Sequence, residues 1–404
     1  MVQQKLNTSV QKVLVYLRLD NLPGIFTFVS LLGYVDGSNV GSPKVHHTHV
    51  EEDKEKASTF KLNRPVEVQA IRLVELTDRD SSVMKVSEVH DYSFTDPILN
   101  TFRTFGQLNR VAVSGDVVMA PEYAYAETLV SRARDFSSDL FLIPWSETGG
   151  MSERQIPLLD DKSQKFATGT HSSFVSSVLK NSKGNVGIFI NKGFGGPELS
   201  RPRPGHPSRA TSVSSVYRAS DQAMGPMADQ GHHIFFPYFG GSDDQFALRL
   251  VLQLAKNTTI TATIVKMVIA SDSSESSAAP VESYGVPGSP QDKEASDAFY
   301  ASIHDSLPAE LSSRVSFETV QLTSHDLVSV ALETAKQDLA KTKSTTGDLV
   351  IVGRGSVSLN GGSSRPSAEI GSEARKALGI LGEVMVGKSQ GISASVIVVQ
   401  ASQE

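Results

Sequence analysis

Two short segments late in the chain, each containing glycine and serine, have the residue types of an anion-binding site. One directly follows an apolar run and the other opens a helical pattern. Backbone N–H groups in a glycine-rich turn or at a helix start can hold an anion, and an adjacent arginine adds positive charge. The candidate residues are Gly353, Arg354, Gly355, Ser356, Gly371 and Ser372.

Acidic residues end the first predicted strand of each half of the chain, at Asp20 and Asp243. The simplest interpretation is that each carboxylate caps the helix that follows, because side-chain oxygens satisfy the free N–H groups of a first helical turn. Gly240 and Gly241, with Ser242 and Asp243 after them, predict a tight turn and an N-cap at this point.

Other reactive residue types do not form a recognisable catalytic or metal-binding set. His46 and His49 with the acidic residues after them could bind a divalent metal, but a solvated loop is the simpler interpretation, and no metal site is predicted. The chain has no Gly-x-Ser-x-Gly turn, so no nucleophile of that kind is present. A Gly-x-x-x-x-Gly-Lys match occurs at Gly382–Lys388, but it falls in the last predicted helix and not between a strand and a helix, so no phosphate loop is expected there. The sequence therefore predicts a protein that is not an enzyme.

The composition further narrows the class of protein. The chain has 404 residues, a formal net charge of −6 and no cysteine, which excludes disulfides and thiolate chemistry and argues against a nucleic-acid partner. The apolar segments fall short of the roughly 18 residues needed to cross a bilayer. We expect a soluble chain, which can still be part of something larger.

The candidate site needs a scaffold of alternating strands and helices. Val13–Tyr16, Val66–Leu76, Val111–Met119, and the runs at Leu140 and Val186 read as strands, with helices predicted over Ile25–Leu32, Glu122–Ser138 and Phe174–Leu179. The second half repeats the order with strands from Ile234, Ile260–Ile269, Val315–Leu322, Leu349 and Val396–Val399, and helices after Ser242, after Ser324 and over Glu373–Val386. This alternation predicts an α/β fold with mostly parallel sheets and helices on both faces.

The two halves repeat each other at a constant spacing. Asp139 and the apolar run after it correspond to Asp348 and its run, and the strand at Val186 corresponds to Ser395, a separation of 209 residues in both cases (348 − 139 and 395 − 186). Residues 195–231 are rich in Pro, Gly, Ser and Arg and cannot bury enough apolar surface to fold alone. We therefore predict domains at 1–194 and 232–404, a linker at 195–231, and a Ser/Pro-rich insert near 271–292.

Several segments resemble the cytosolic tails of monovalent cation/proton antiporters, the family of plant cation exchangers and fungal potassium/proton antiporters. The resemblance is carried by Phe235–Leu248, Val68–Arg79, Asp139–Trp145, Leu378–Gly382 and Ser393–Gln400, of which the last two are the most specific. It covers nearly the whole chain apart from the two inserts, and the long Ser-rich inserts favour the fungal branch.

The resemblance implies two tandem domains similar to universal stress proteins, each with an open, mostly parallel sheet. It implies a regulatory tail on the cytoplasmic face of a membrane, such as the Golgi, an endosome or the plasma membrane. The partners would be a transport domain of the same polypeptide and a second copy of the chain. Which cation is carried stays open.

A second function follows from the same resemblance. Universal stress proteins that bind ATP place a Gly-x-x-Gly segment after the fourth strand and a Gly-Ser or Gly-Thr nine residues later. Here Ser356 stands at the second glycine position, and about fifteen residues separate it from Gly371 and Ser372. Asp243 would reach an adenosine ribose in that pattern. The alternative is thus a stress-type protein that binds an adenine nucleotide, whose site this chain retains in degenerate form.

Overall fold

The computed structural model describes residues 9–33, 66–76, 93–109, 111–146, 149–151, 169–195, 231–269, 283–285, 290–322, 327–341, 347–360, 372–387 and 391–402. The strands are β1 (Lys12–Tyr16), β2 (Glu67–Glu75), β3 (Ala112–Ala120), β4 (Leu140–Pro144), β5 (Val186–Ile190), β6 (His232–Tyr238), β7 (Ile260–Ile269), β8 (Ser283–Gly285), β9 (Val315–Leu322), β10 (Leu349–Gly353), β11 (Ser358–Asn360) and β12 (Ser395–Gln400). The helices are α1 (Leu22–Leu32), α2 (Pro97–Leu108), α3 (Tyr125–Asp135), α4 (Gly169–Asn181), α5 (Gly241–Leu254), α6 (Pro290–Asp305), α7 (Ala309–Ser312), α8 (Leu327–Lys341) and α9 (Ser372–Val386). Single 3-10 turns precede α1 and α3, at Leu19–Asn21 and Glu122–Ala124.

Within the described ranges, ten strands form one sheet in the order β3-β2-β1-β4-β5-β12-β10-β6-β7-β9. Read from its outer edge inward, each half therefore places its third, second, first, fourth and fifth strands in the same order, which is the doubly wound arrangement. The strands within each half pair in parallel. β8 and β11 form a separate antiparallel pair.

Helices cover both faces of the sheet in a repeated pattern. Helices after the first and second strands of each half (α1, α2, α5, α6 and α7) pack on one face. Helices after the third and fourth strands (α3, α4, α8 and α9) pack on the other. The five residues of β4, β5 and β10 are all buried. This explains their continuous apolar sequences, since a parallel strand covered on both faces needs apolar residues on each. The predicted α/β class is confirmed.

The two halves meet where their fifth strands pair. β5 and β12 are antiparallel, with Ile190 opposite Val396 and Ile188 opposite Val398. Antiparallel pairing of equivalent strands relates the halves by an approximate two-fold axis. The carboxyl edge of one half therefore adjoins the amino edge of the other. We call the β5–β12 junction the seam.

Several expected elements differ from the observed ones. The helix expected over Glu122–Ser138 is split into the 3-10 turn and α3. The helix between the second and third strands of each half is expected from the alternation only, without bounds, and α2 and α6 occupy that place. Asp96 caps α2 by accepting from the Leu99 N–H at 2.8 Å. The predicted N-cap at Ser242–Asp243 is wrong, because Gly240 occupies that position with a φ of 108°. The division into two domains with a linker fits the repeated strand order but stays a prediction, and residues 196–230 lie outside the described part.

Candidate functional site

The strand order reverses in each half between the first and fourth strands, which is where open α/β sheets place ligands. In the second half this crevice lies at the carboxyl ends of β6 and β10. It contains the start of α5 and the loop after β10, which we call the β10 loop (residues 353–356). Asp243, Gly353, Arg354, Gly355 and Ser356 all lie here, so the structure brings together five of the seven residues predicted for the site.

The Asp243 carboxylate occupies the N–H groups that an anion would use. It accepts from the N–H of Gly355 and from that of Ala401, each at 2.8 Å. It therefore joins the β10 loop to the residue after β12, and the expectation that it caps its own helix is wrong. A bound phosphate would have to displace this carboxylate and tolerate its charge.

The neighbouring Asp244 was missed by sequence reasoning, and its side chain is completely buried. It accepts from the N–H groups of Phe239 and Gly240 at 2.7 and 3.0 Å and contacts the Ser356 hydroxyl. Burial raises the pKa of Asp244 to about 7, although these hydrogen bonds lower it. The signal in the sequence is an acidic pair that follows two glycines and a serine at a strand end.

Position 353 requires glycine because these carboxylates pack closely against it. A β-carbon on Gly353 would lie 2.2 Å from an Asp244 carboxylate oxygen and 3.0 Å from the Asp243 β-carbon. The glycine thus lets the protein's own carboxylates approach the backbone.

The Arg354 guanidinium is also hydrogen-bonded to groups of the protein itself. Its guanidinium donates to the carbonyls of Ala377 and Lys376 and to the side-chain oxygen of Gln400, the Ala377 and Gln400 bonds being 3.0 Å long. Burial lowers the pKa of Arg354, and the charge of Asp243 opposes that shift. The side chain donates to carbonyls at the end of the first segment of α9, so its hydrogen bonds cap a helix.

α9 is broken at Gly379, which we had assigned to the interior of a regular helix. Its φ of 70° and ψ of 175° are not helical, and a β-carbon there would lie 2.2 Å from the Arg354 carbonyl oxygen. The break after Leu378 is therefore what packs on the β10 loop. Ser372 is the first residue of the helix and lies five residues before Ala377, a distance of about 7.5 Å along the helix axis. Gly371 lies outside the described residues.

The equivalent crevice of the first half is also filled by the protein. The fully buried Arg18 pairs with Asp20 at 3.1 Å and donates to the Met151 carbonyl and the Ser146 hydroxyl at 3.0 and 3.2 Å. The ring of the buried His171 accepts from the Ser146 N–H at 3.1 Å. Asp20 thus serves an ion pair, and its expected capping of the next helix is not observed.

A cleft of about 820 Å³ lies beside the seam and is bordered by residues from both halves. One wall carries Asp139, whose carboxylate accepts from the N–H groups of Gln11 and Lys12, each at 2.9 Å. The other carries Asp243 and Arg354. The two carboxylates that border the cleft, those of Asp139 and Asp243, are therefore both bonded to backbone N–H groups of the chain itself. Among the described residues no group of three or more His, Asp or Glu side chains has metal-binding geometry, and His46 and His49 lie outside them.

This occupancy predicts the effect of removing Asp243. Asp243→Ala frees two N–H groups, and we expect it to lower the free energy of unfolding by about 1–2 kcal/mol and to create a weak anion site. Inorganic phosphate or ATP should then raise the melting temperature of the variant but not that of the wild type. Asp305→Ala, at an exposed position on α6, is the control. A phosphate response of the wild type that the variant loses would contradict the prediction.

Comparison with known proteins agrees with the resemblance seen in the sequence. The profile of the plant cation/H(+) antiporter domain matches residues 68–194. Cation/H(+) antiporter 17 of Arabidopsis thaliana is 21% identical over 215 residues, and cation/H(+) antiporter 18 of the same plant is 22% identical over 213 residues. Each match covers 50% of this chain and 22% of the relative, so the matched region is about a fifth of the length of those proteins.

Two solved structures also align with the chain. A universal stress protein from Archaeoglobus fulgidus aligns over 97% of both chains with a TM-score of 0.43 and 13% identity. The hypothetical protein MJ0577 aligns over 46% of this chain and 98% of its own, with a TM-score of 0.27 and 14% identity. No helix in the described ranges combines the length and apolarity of a membrane span. On the family profile and the two plant relatives, the chain is similar to cation/proton antiporters, and residues 68–194 match the model of the plant cation/H(+) antiporter domain.

Proposed function

We propose that this chain is the regulatory region of a cation/proton antiporter and that it controls transport or dimer assembly through the packing of its two halves. The observation that carries the proposal is the antiparallel pairing of β5 with β12, which makes one sheet of both halves. A rigid connection of this kind lets a change in either half reach the other.

Polar contacts across the seam reinforce the strand pairing. The Lys192 ammonium donates to the carbonyls of Ile392 and Val386 at 2.6 and 3.3 Å. The Ser395 hydroxyl accepts from the N–H groups of Lys192 and Phe194 at 2.8 and 3.3 Å. These bonds supply direction and register to an otherwise apolar junction, which supports a fixed arrangement of the halves.

The filled crevices also favour a packing mechanism. Arg18 is bonded to the protein in one, and Asp243, Asp244 and Arg354 are bonded to it in the other, so the polar groups at both switch points already have protein partners. A regulatory region needs two arrangements whose balance a ligand, proton or partner shifts. We propose that the arrangements differ in how the two halves, or two copies of the chain, pack together.

The parent protein would carry the membrane transport domain on the same polypeptide and exchange a monovalent cation, potassium being our proposal, for protons. The region would lie on the cytoplasmic face of the membrane and assemble as a homodimer. These statements extend from the plant relatives, which are antiporters.

The second candidate function is an adenine nucleotide sensor of the universal stress type. The position of the β10 loop at the switch point favours it, whereas the carboxylates that occupy its N–H groups oppose it. Adenine absorbance in the purified chain would support this candidate. So would a rise in melting temperature with ATP or AMP that is lost on substitution of Gly355 or Arg354.

The regulatory proposal is tested by transport. We expect the cation/proton exchange rate of the parent protein in proteoliposomes to change when residues 1–404 are deleted and the transport domain is retained. Membrane insertion and quantity of both forms are checked by protease protection and immunoblotting. Equal exchange rates for the two forms across a range of pH would overturn the proposal.

A further inference from the structure

Asp244 is a fully buried carboxyl group that no anion site or catalytic step requires. It lies in the first turn of α5, between the end of β6 and the β10 loop. One carboxylate oxygen accepts from the N–H groups of Phe239 and Gly240. The other lies against the Ser356 hydroxyl. The side chain therefore connects the end of β6, the start of α5 and the β10 loop.

The hydrogens available around Ser356 indicate the charge state of this group. The Ser356 oxygen is within hydrogen-bond distance of the Asp244 carboxyl and, at 3.0 Å, of the Gly353 carbonyl. A hydroxyl has one hydrogen and can donate to only one of these acceptors. If Asp244 carries a proton, it donates to Ser356 and Ser356 donates to Gly353, so both bonds form. If Asp244 is ionised, Ser356 must donate to it and the bond to Gly353 is lost.

We propose that Asp244 is a proton-binding site and that its protonation completes the hydrogen bonding of the β10 loop. The ligand is a single proton, held on the carboxyl oxygen that faces Ser356. The inference goes beyond the proposed function and does not depend on it, because it concerns the chain itself.

The charges around Asp244 favour the protonated form. Asp243, on the same helix, adds negative charge beside Asp244. Tyr238 faces Asp244 from β6. Arg354 on the β10 loop contributes positive charge near Asp243. Lys266 of β7 is neutralised by Asp297 of α6 at 2.9 Å. Burial and Asp243 raise the pKa of Asp244 to about 7, and that agrees with the hydrogen-bond count.

The first half provides a contrast in the carboxylate beside its own crevice. Asp20 is paired with the fully buried Arg18, and an adjacent cation stabilises the ionised carboxylate. No ion pair to Asp244 is present among the described residues. The carboxylate beside the first crevice thus has a cation as its partner, whereas Asp244 has neutral hydrogen-bond partners.

Loss of the proton should weaken the contacts of the β10 loop. Ionisation removes the bond to the Gly353 carbonyl and places a second negative charge beside Asp243, which holds the N–H groups of Gly355 and Ala401. The folded chain keeps a proton that the unfolded chain has already released between about pH 4 and pH 7, so stability falls as pH rises through that window. The unfolding equilibrium constant should rise by up to about tenfold per pH unit there and level off above it.

The experiment is a carboxyl ¹³C NMR titration of the full chain with labelled aspartate, using Asp244→Asn to assign the signal. We expect the Asp244 signal to titrate with a midpoint between about pH 6 and 8. An Asp244 midpoint below about pH 5 would overturn the proposal.

Stability measurements give a second readout. Asparagine imitates the protonated acid, because its amide group donates to Ser356 while its oxygen accepts from Phe239 and Gly240. Asp244→Asn should therefore remove the tenfold-per-unit component of the pH dependence, whereas Asp305→Asn at an exposed site should retain it. Identical pH dependence for the wild type and Asp244→Asn would contradict the proposal.

Discussion

Replacing Arg18 by methionine is expected to lower the free energy of unfolding by about 3–5 kcal/mol, the usual cost of removing one member of a buried ion pair. The guanidinium is fully buried and serves Asp20, Met151 and Ser146 together. Its loss leaves a largely buried carboxylate without its cation and a buried carbonyl without this donor. Chemical denaturation of the purified chain, followed by the fluorescence of Trp145 on the same crevice, measures the change.

Two further variants separate the ion pair from general effects of losing an arginine. Arg132 pairs with Asp116 at 4.0 Å, and both side chains are about half exposed, so Arg132→Met should cost less than about 1 kcal/mol. Adding Asp20→Asn to Arg18→Met should recover part of the loss, because the unpaired charge is then removed. Equal costs for Arg18→Met and Arg132→Met would show that the buried pair does not hold the first crevice together.

Replacing Gly379 by alanine is the second large effect that we expect. Its φ of 70° and ψ of 175° belong to a region used almost only by glycine, where another residue costs about 1–3 kcal/mol. The added β-carbon would also meet the Arg354 carbonyl oxygen at 2.2 Å, which forces the β10 loop and α9 apart. We therefore expect a total loss of at least about 3 kcal/mol in the free energy of unfolding.

Gly241 provides the matched control for this substitution. It also has a positive φ, 86°, but a β-carbon there would meet no atom within 4 Å. Gly241→Ala should accordingly show only the backbone cost of about 1–2 kcal/mol. If the two alanine variants unfold at the same denaturant concentration, close packing of α9 on the β10 loop is not what requires glycine at position 379.

Most of the scaffold could be predicted because its signals are local. β7 and β9 have the predicted bounds, and β4 and β10 begin at Leu140 and Leu349, the spacing expected from the repeat. Ala377, Leu378, Leu381 and Met385, which recur at helical spacing in the predicted helix, are buried on α9. Continuous apolar runs and helical spacing report burial directly, whichever strands become neighbours.

The way in which the two halves pair could not be predicted from local sequence patterns. Pairing of β5 with β12 joins strands far apart in the sequence, and either strand alone would fit a central position in a parallel sheet. Their antiparallel direction follows from the packing of the whole molecule.

The candidate site was predicted in position but not in chemistry. A glycine next to an arginine indicates an anion site in sequence, yet here Gly353 makes room for Asp244, and Arg354 turns toward α9. The chemistry depends on where Asp243 and Asp244 point, and only the folded crevice determines that. Gly379 was misread for a related reason, because one glycine in a strong helical pattern gives no sign of a positive φ.

The central claim is that the region acts through the packing of its two halves across the seam. The most direct test is cation/proton exchange by the full-length parent carrying Lys192→Ala with Ser395→Ala, compared with Lys341→Ala, whose ammonium bonds Asp338 within α8 at 3.4 Å. We predict that the seam variant shifts the exchange rate by about fivefold in the same direction as deletion of the region, a coupling at the low end of the usual allosteric range, and that Lys341→Ala leaves it unchanged. A seam variant that exchanges at the wild-type rate, although deletion of the region alters that rate, would contradict the claim.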